Sequence, residues 1–352
     1  TNKKESPEEF ADSQYRLGSA YLLKANADND LDLYTQAASS LQESLAFYRK
    51  ENHPQRYGLI KKSLGEIFIK YSEVEDKVKN LKEGIKLLEE SYEILKESGS
   101  RDSVKDNLLM LSRSHFSVSE QEGQSDDYKT SLQYSTTALG ISDDSEQDKA
   151  EINRLIADTY RRFNDQPSMA SNFKKAIDHY KAAIKYYTKS DFPDDYANLY
   201  DSMGASYKVL AELEDGSKNY EQSINCYKEI LGVYDIDKSP QQYAATENNL
   251  GIIYRALSEI DNKAENCKKA IDSYEQTLKV YNVNDYPQQY GAIENNLGAA
   301  YRSLAEVEDK AVNSKKAINS FKEALKVRTL SEFPAYYAST QNNLAATYLS
   351  LI

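Results

Sequence analysis

The sequence predicts an all-α chain of repeated helix pairs, and three observations predict it. Pro7 and Pro54, then Pro193, Pro240, Pro287 and Pro334, stand 47 residues apart within each run, and the 139 residues from Pro54 to Pro193 make close to three periods, filled by starts near Arg101 and Glu146. Counted from each start, position +14 reads Tyr21, Phe68, His115, Tyr160, Tyr207, Tyr254, Tyr301 and Tyr348, aromatic in every copy once histidine is included. Position +10 reads Leu17, Leu64, Leu111, Ile156, Met203, Leu250, Leu297 and Leu344, and +11 reads Gly18, Gly65, Ser112, Ala157, Gly204, Gly251, Gly298 and Ala345. Eight starts at or close to one period mark a repeat architecture, which overrides the two or three ordinary domains that 352 residues would suggest.

The first helix of each repeat follows from its stripe. In one copy Tyr243, Leu250, Tyr254 and Leu257 fall on a single face at about 100° per residue, the pattern of an amphipathic helix. The proline before it suits a helix start, where its missing N–H is not needed. The small residues at +4 and +11, Ala244 with Gly251, Gly291 with Gly298 and Ala197 with Gly204, lie two turns apart and let a neighbouring helix approach closely, which offsets the helix-propensity penalty of glycine.

The second helix carries its own stripe, for example Ala270, Ile271, Tyr274 and Leu278, after an Asp/Asn-rich link such as Glu259 to Asn266. Asn80, Asn172, Asn219, Asn266 and Asn313, all at +26, are the expected N-caps of these second helices. No segment reads as a strand. Most of the 29 tyrosines are expected to pack between helices with the hydroxyl at the wet edge. In this register 1–100 holds repeats 1 and 2, 101–192 holds the degenerate repeats 3 and 4 with a candidate bend, and 193–352 holds the regular repeats 5 to 8. The last stops at +18, inside its first helix, so the chain is expected to be a cut from a longer protein or to use that helix as its cap.

The spacing Leu-Gly-x-x-Tyr (Leu250 to Tyr254), with Ala-x-x-x-Tyr/Phe-x-x-Ala in the second helix (Ala176 to Ala183, Ala317 to Ala324), resembles the tetratricopeptide repeat. That signature recurs about every 34 residues, so a 47-residue period looks like an extended variant. The opening P-x-x-Y-A-x-T-x-N-N-L-G is also similar to the longer repeats of kinesin light chains and of prokaryotic signalling proteins that join such repeats to effector domains. The resemblance covers the whole chain, most strongly from Pro193 onward. It implies a right-handed α-solenoid, a superhelix of antiparallel helix pairs with about seven and a half TPR-like repeats, whose first helices line a concave groove for peptide segments.

On the helical wheel +5, +8, +12 and +15 lie opposite the packing stripe and carry whatever folding does not need. Offset +15 reads Arg161, Lys208, Arg255 and Arg302, a basic ladder on an acidic chain, while +8 reads Asn248, Asn295 and Asn342, with Asn249, Asn296 and Asn343 beside them at +9. Packed helices lie about 8–10 Å apart and an extended peptide advances about 3.3 Å per residue, so one asparagine per repeat meets about every third peptide residue. Asparagine offers donor and acceptor to any peptide backbone, and arginine adds charge-assisted bonds to carboxylate or phosphorylated side chains. The +9 asparagines resemble the asparagine ladder of the superhelical repeats that present peptides to glycosyltransferases. The carboxylate clamp of chaperone-binding repeats needs a further asparagine at +12, where this chain has Ala205, Ile252, Ala299 and Ala346. The same side chains have plainer uses: the asparagines as bonds to a neighbouring repeat's backbone, the basic residues as solvated charge or ion-pair partners.

Composition narrows the function. A net charge of −12 with no long basic run argues against a nucleic-acid partner, and the absence of an 18-residue apolar stretch argues against a membrane span. Two cysteines in 352 residues fit a reducing, cytoplasmic compartment. His53, His115 and His179 are isolated, Cys226 and Cys267 sit at different offsets, and pairs such as Asp143-Asp144 and Glu308-Asp309 fall in links, where turn and capping roles dominate. No catalytic residue, metal site or cofactor is expected. The function predicted is a protein-interaction scaffold whose partner is a protein or peptide segment carrying acidic groups. Two further classes stay open: self-association through the uncapped end, giving a homo-oligomer, and a sensory or regulatory repeat domain of a larger signalling protein.

Overall fold

In the computed structural model of the protein, residues 6–142, 145–163 and 166–351 are described. The expected turn pair Asp143-Asp144 lies outside them. Among the described residues all regular structure is helical. Repeat 1 is α1 (Pro7–Asp28) and α2 (Leu31–Ser44), repeat 2 is α3 (Pro54–Tyr71) and α4 (Lys77–Ser98), repeat 3 is α5 (Arg101–Glu122) and α6 (Ser125–Gly140), and repeat 4 is α7 (Glu146–Arg162) and α8 (Met169–Ile184). Repeats 5 to 7 are α9 (Pro193–Leu213) with α10 (Gly216–Leu231), α11 (Pro240–Ser258) with α12 (Lys263–Leu278), and α13 (Pro287–Ala305) with α14 (Lys310–Leu325). Repeat 8 contributes α15 (Pro334–Leu349). Every start placed by the register is the first residue of a helix, including the proline-free starts Arg101 and Glu146.

Helices pack with their sequence neighbours, α9 on α10 and α10 on α11 for example, so the fold is an all-α solenoid of TPR-like hairpins. The chain divides into two compact units, Thr1–Asn172 and Phe173–Ile352. The first buries Leu41, Ile60 and Ile67 in one cluster and Leu88 with Leu111 in another. The second buries a continuous core that includes Leu250, Tyr274, Leu297 and Phe321.

In repeats 1, 2, 6 and 7 the hairpin closes on the glycine of its first helix. A Cβ on Gly251 would lie 2.6 Å from the Tyr274 ring, one on Gly298 would lie 2.8 Å from Phe321, and Gly18 and Gly65 would meet Leu41 and Leu88 at 2.8 Å. The large residue is at +34 each time. In the degenerate repeat 3 serine replaces glycine at +11, and the facing +34 residue shrinks to Ser135. There the Ser112 hydroxyl donates to the Ser131 carbonyl at 2.9 Å.

The +26 asparagines are not N-caps, and this corrects the expectation. The residue before α4, α10, α12 and α14 is Asp76, Asp215, Asn262 or Asp309 in the left-handed conformation, φ 42 to 45°, at +22. Asn29 and Gly123 take the same conformation at the same offset. Aspartate, asparagine and glycine are the residues that tolerate it. The asparagine four residues on sits in the first turn and reaches back across the link: Nδ2 donates to the Glu75, Glu214, Asp261 or Glu308 carbonyl at 2.7 to 2.8 Å. Asn172 does the same for the Phe163 carbonyl at 3.0 Å.

Aromatic corners close the exits. Tyr187 and Phe192 meet edge to face at 5.5 Å, Tyr48 and His53 at 5.3 Å, and Tyr281 and Tyr286 at 5.1 Å. Between repeats, the Tyr301 hydroxyl donates to Glu275 Oε1 at 2.9 Å, so the +14 tyrosine is a packing residue with a satisfied polar tip. Burial pushes the Tyr134, Tyr234 and Tyr274 phenols up to about 12.

Candidate functional site

The ladder residues of the second unit lie on α9, α11, α13 and α15, and α11 touches α13 as α13 touches α15. Lys208, Arg255 and Arg302 are half-buried, as are Asn248, Asn249, Asn295, Asn296 and Asn343, while Asn342 is exposed. Arg161 is half-buried on α7, in the other compact unit. The face opposite the packing stripe is therefore partly covered. Ala205, Ile252 and Ala299 at +12 lie among these side chains as its apolar floor.

The asparagines of repeats 7 and 8 interlock. Arg302 Nη1 donates to Asn343 Oδ1 at 3.3 Å, Asn343 Nδ2 donates to Asn295 Oδ1 at 3.2 Å, and the same oxygen accepts from the buried Thr340 hydroxyl at 3.1 Å. Arg328 Nη1 completes the row by donating to Thr340 Oγ1 at 3.2 Å. One repeat earlier the position of Thr340 is Ile293, and the buried Asn248 Oδ1 is left without a hydrogen-bond partner. The +8 asparagine of repeat 7 and the +9 asparagine of repeat 8 thus bind each other across the repeat boundary through side chains, and Asn343 holds the Arg302 guanidinium.

Some cations of this unit are paired with carboxylates and, among the described residues, its ladder cations are not. On the second helices Lys174 pairs with Glu214, Lys263 with Glu306, Lys268 with Glu308 and Lys269 with Glu265. Among the described residues Lys208, Arg255, Arg302 and Arg328 have no carboxylate within 4.0 Å. Arg255 has a phenol for company: its positive charge partly opposes the burial that raises the Tyr274 hydroxyl.

Two further groups on the first helices escaped the sequence. Glu247 and Glu294, at +7, are only 9% and 8% exposed. Burial raises both carboxyls, against the Ser273 and Tyr243 hydroxyls for Glu247 and the Ser320 hydroxyl for Glu294. Arg328 and Thr340 were also missed. The signal for Arg328 was present in the register, since +41 is Tyr48, Tyr187, Tyr234 and Tyr281 in other repeats.

The two cysteines and His115 sit in packed surroundings. Cys226 and Cys267 are buried and unbonded, with the Cys226 thiol pushed up to about 12 by burial. His115 stacks on Tyr134 and pairs Nδ1 with Asp127 at 2.7 Å. Among the described residues no group of three or more His, Cys, Asp or Glu side chains is placed to hold a metal ion, and no helix is long and apolar enough to cross a membrane.

Helix pairs, an inward glycine at +11 and an outer face left to polar ladders define a tetratricopeptide-type array. It is a 47-residue form of that fold. Among solved structures, the C-terminal part of a TPR repeat-containing protein from Cytophaga hutchinsonii is 12% identical, covers 94% of this chain and 99% of its own, and superposes with a TM-score of 0.58. BtubC (BKLC) from P. vanneervenii is 19% identical over 70% of this chain and 91% of its own, with a TM-score of 0.47. Nro1, a hypoxic regulator of sterol synthesis described as a nuclear import adaptor, is 15% identical over 89% of this chain and 99% of its own, with a TM-score of 0.46. Of the three, the first superposes closely enough to bear on the fold, and on the fold alone. No protein-family model matches the chain, and no curated protein does.

Proposed function

We propose that this chain is a non-enzymatic interaction scaffold that holds an extended, acidic protein segment along the first helices of its second unit. The observation that carries the reading is the recurrence, once per repeat on the first helices, of the half-buried cations Lys208, Arg255 and Arg302, with no carboxylate among the described residues within 4.0 Å. A half-buried cation without a counter-ion is held at an energetic cost that an acidic partner relieves. Asn249, Asn296 and Asn343, with Asn248, Asn295 and Asn342, supply amides to the partner's backbone. Arg161 stands in the other unit, and the reading does not depend on it. The unpaired thiols suit a cytoplasmic setting.

Capture from the source lysate with wild-type chain and with Lys208, Arg255 and Arg302 all changed to Glu tests this. Both forms are first matched in helicity and Tm. We expect an enriched protein to disappear with the variant and its capture to weaken as salt is raised. Identical captures with both forms overturn the ladder reading.

Self-association is the second reading, favoured by the exposed Tyr348, Leu349 and Leu351 on and beside α15. Concentration-dependent mass in sedimentation supports it, and a constant monomer mass removes it.

A further inference from the structure

Tyr48, Tyr187, Tyr234 and Tyr281 share offset +41, where a tyrosine closes the corner between a second helix and the next first helix. The Tyr234 and Tyr281 hydroxyls reach back to the first turn of their own repeats, to Asp194 Oδ1 at 2.9 Å and the Gln241 carbonyl at 3.3 Å. Repeats 2 and 3 carry Leu95 and Ser142 at this offset, and repeat 7 carries a cation, Arg328. There the corner is open. A pocket of about 350 Å³ lies between the first turn of α13, the turn after α14 and the start of α15, with Gln288, Gln289, Val327, Arg328, Phe333 and Tyr336 in its wall. The volume is at the lower end of the range of small-molecule sites.

The guanidinium sits 5.0 Å from the centre of the Tyr336 ring and donates to Thr340. It is half-buried, no carboxylate among the described residues pairs with it, and burial lowers its pKa with only the Tyr336 phenol opposing. The corner of repeat 1 shows the other solution. Arg56 lies 5.6 Å from the Tyr48 ring there, but the cavity wall holds Glu8, Glu9 and Asp12, with an Asp12 oxygen 4.0 Å from the guanidinium. At the positions of Glu8 and Glu9, repeat 7 has Gln288 and Gln289. Repeat 1 supplies its own anions; repeat 7 supplies a cation and neutral amide donors.

We propose that the repeat 7 corner binds an organic carboxylate, with the anion between Arg328 and the amides of Gln288 and Gln289 and a compact apolar body against Val327, Phe333 and Tyr336. The site adjoins the asparagine ladder through the bonds from Arg328 to Thr340 and from Thr340 to Asn295, but the carboxylate reading does not rest on the ladders' role.

The test titrates the whole chain, followed by NMR or calorimetry, with phenylacetate as a free carboxylate and N-acetylphenylalanine as one borne on a peptide end. Phenylacetamide and inorganic phosphate isolate the charge and the apolar body. Variants are Arg328→Tyr, which restores the recurring corner, and Arg328→Gln, which keeps the polarity without the charge. We expect one carboxylate probe to saturate a single site, the tighter of the two identifying the source. We expect Kd to weaken about tenfold or more for phenylacetamide, for phosphate and in both variants, with Arg328→Tyr melting no lower than wild type. The proposal is overturned if neither carboxylate saturates, if Arg328→Gln binds as wild type does, or if phenylacetamide or phosphate binds as well as phenylacetate.

Discussion

Gly251 has a tyrosine ring where its side chain would be. Gly251→Ala gains about 1 kcal/mol of helix propensity, but the new methyl falls 2.6 Å from the Tyr274 ring. That ring is fully buried and cannot step aside, so we expect a net loss of about 1–3 kcal/mol, read as a lower Tm. Gly140, at the end of α6, is the control: a Cβ there meets nothing within 4 Å, and Gly140→Ala should be neutral or slightly stabilising. Glu294 gives a second test at this scale. Burial raises its carboxyl in the folded state, so its contribution is fully present below the unfolded carboxyl value and is lost as pH rises through the folded one. Glu294→Gln keeps the shape and removes the ionisation. The variant should gain stability over wild type as pH rises from 4 toward 7, by about 2–4 °C in Tm for each kcal/mol. A constant difference across that window would place the effect elsewhere. The glycine was legible in the sequence because its partner is local and recurs at a fixed distance. The glutamates were not, because +7 lies at the edge of the stripe, where burial depends on how far the hairpin closes.

The first helices were legible to their first residue, since proline and the repeat register mark all eight of their starts, and α5 and α7 begin at the two starts that have no proline. The caps were not. Asparagine is favoured both at N-caps and in bonds to nearby backbone, and propensity alone does not separate the two. Here the left-handed link residue takes the cap position, and the asparagine inside the helix ties down the carbonyl of the turn it follows. Asn266→Leu should therefore cost about 1–3 kcal/mol, because the Asp261 carbonyl loses its donor. Asn262→Gly should be neutral, because glycine accepts φ 42° without strain. If the costs came out reversed, the assignment of cap and tie would be wrong. Of the candidate site, the ladder offsets were legible in the sequence, but the bonds from Arg302 to Asn343 and from Asn343 to Asn295 cross between repeats, which a single-repeat wheel does not show.

At the scale of the molecule, repeats bury their cores mostly against immediate neighbours, so stability is closer to a sum of local terms than to one transition. A wound in repeat 6 should stay near repeat 6. In hydrogen exchange, Gly251→Ala is expected to lower protection in α10 to α13 and to leave α1 to α4 as in wild type. Loss of protection in both units together would show that the chain melts as one block.

The raised phenols have an optical consequence. With 29 tyrosines and no tryptophan, near-ultraviolet absorbance and fluorescence are dominated by tyrosine, so the chain carries its own indicator of ionisation. Tyr134, Tyr234 and Tyr274 keep their protons to about pH 12, above the ordinary tyrosine value of about 10. Their contribution to stability is whole below pH 10 and drains away as the solution approaches 12. A spectrophotometric titration at the tyrosinate band should therefore show two phases: a gradual one from the exposed rings near pH 10, then a steep one in which the remaining rings colour together as the hairpins open.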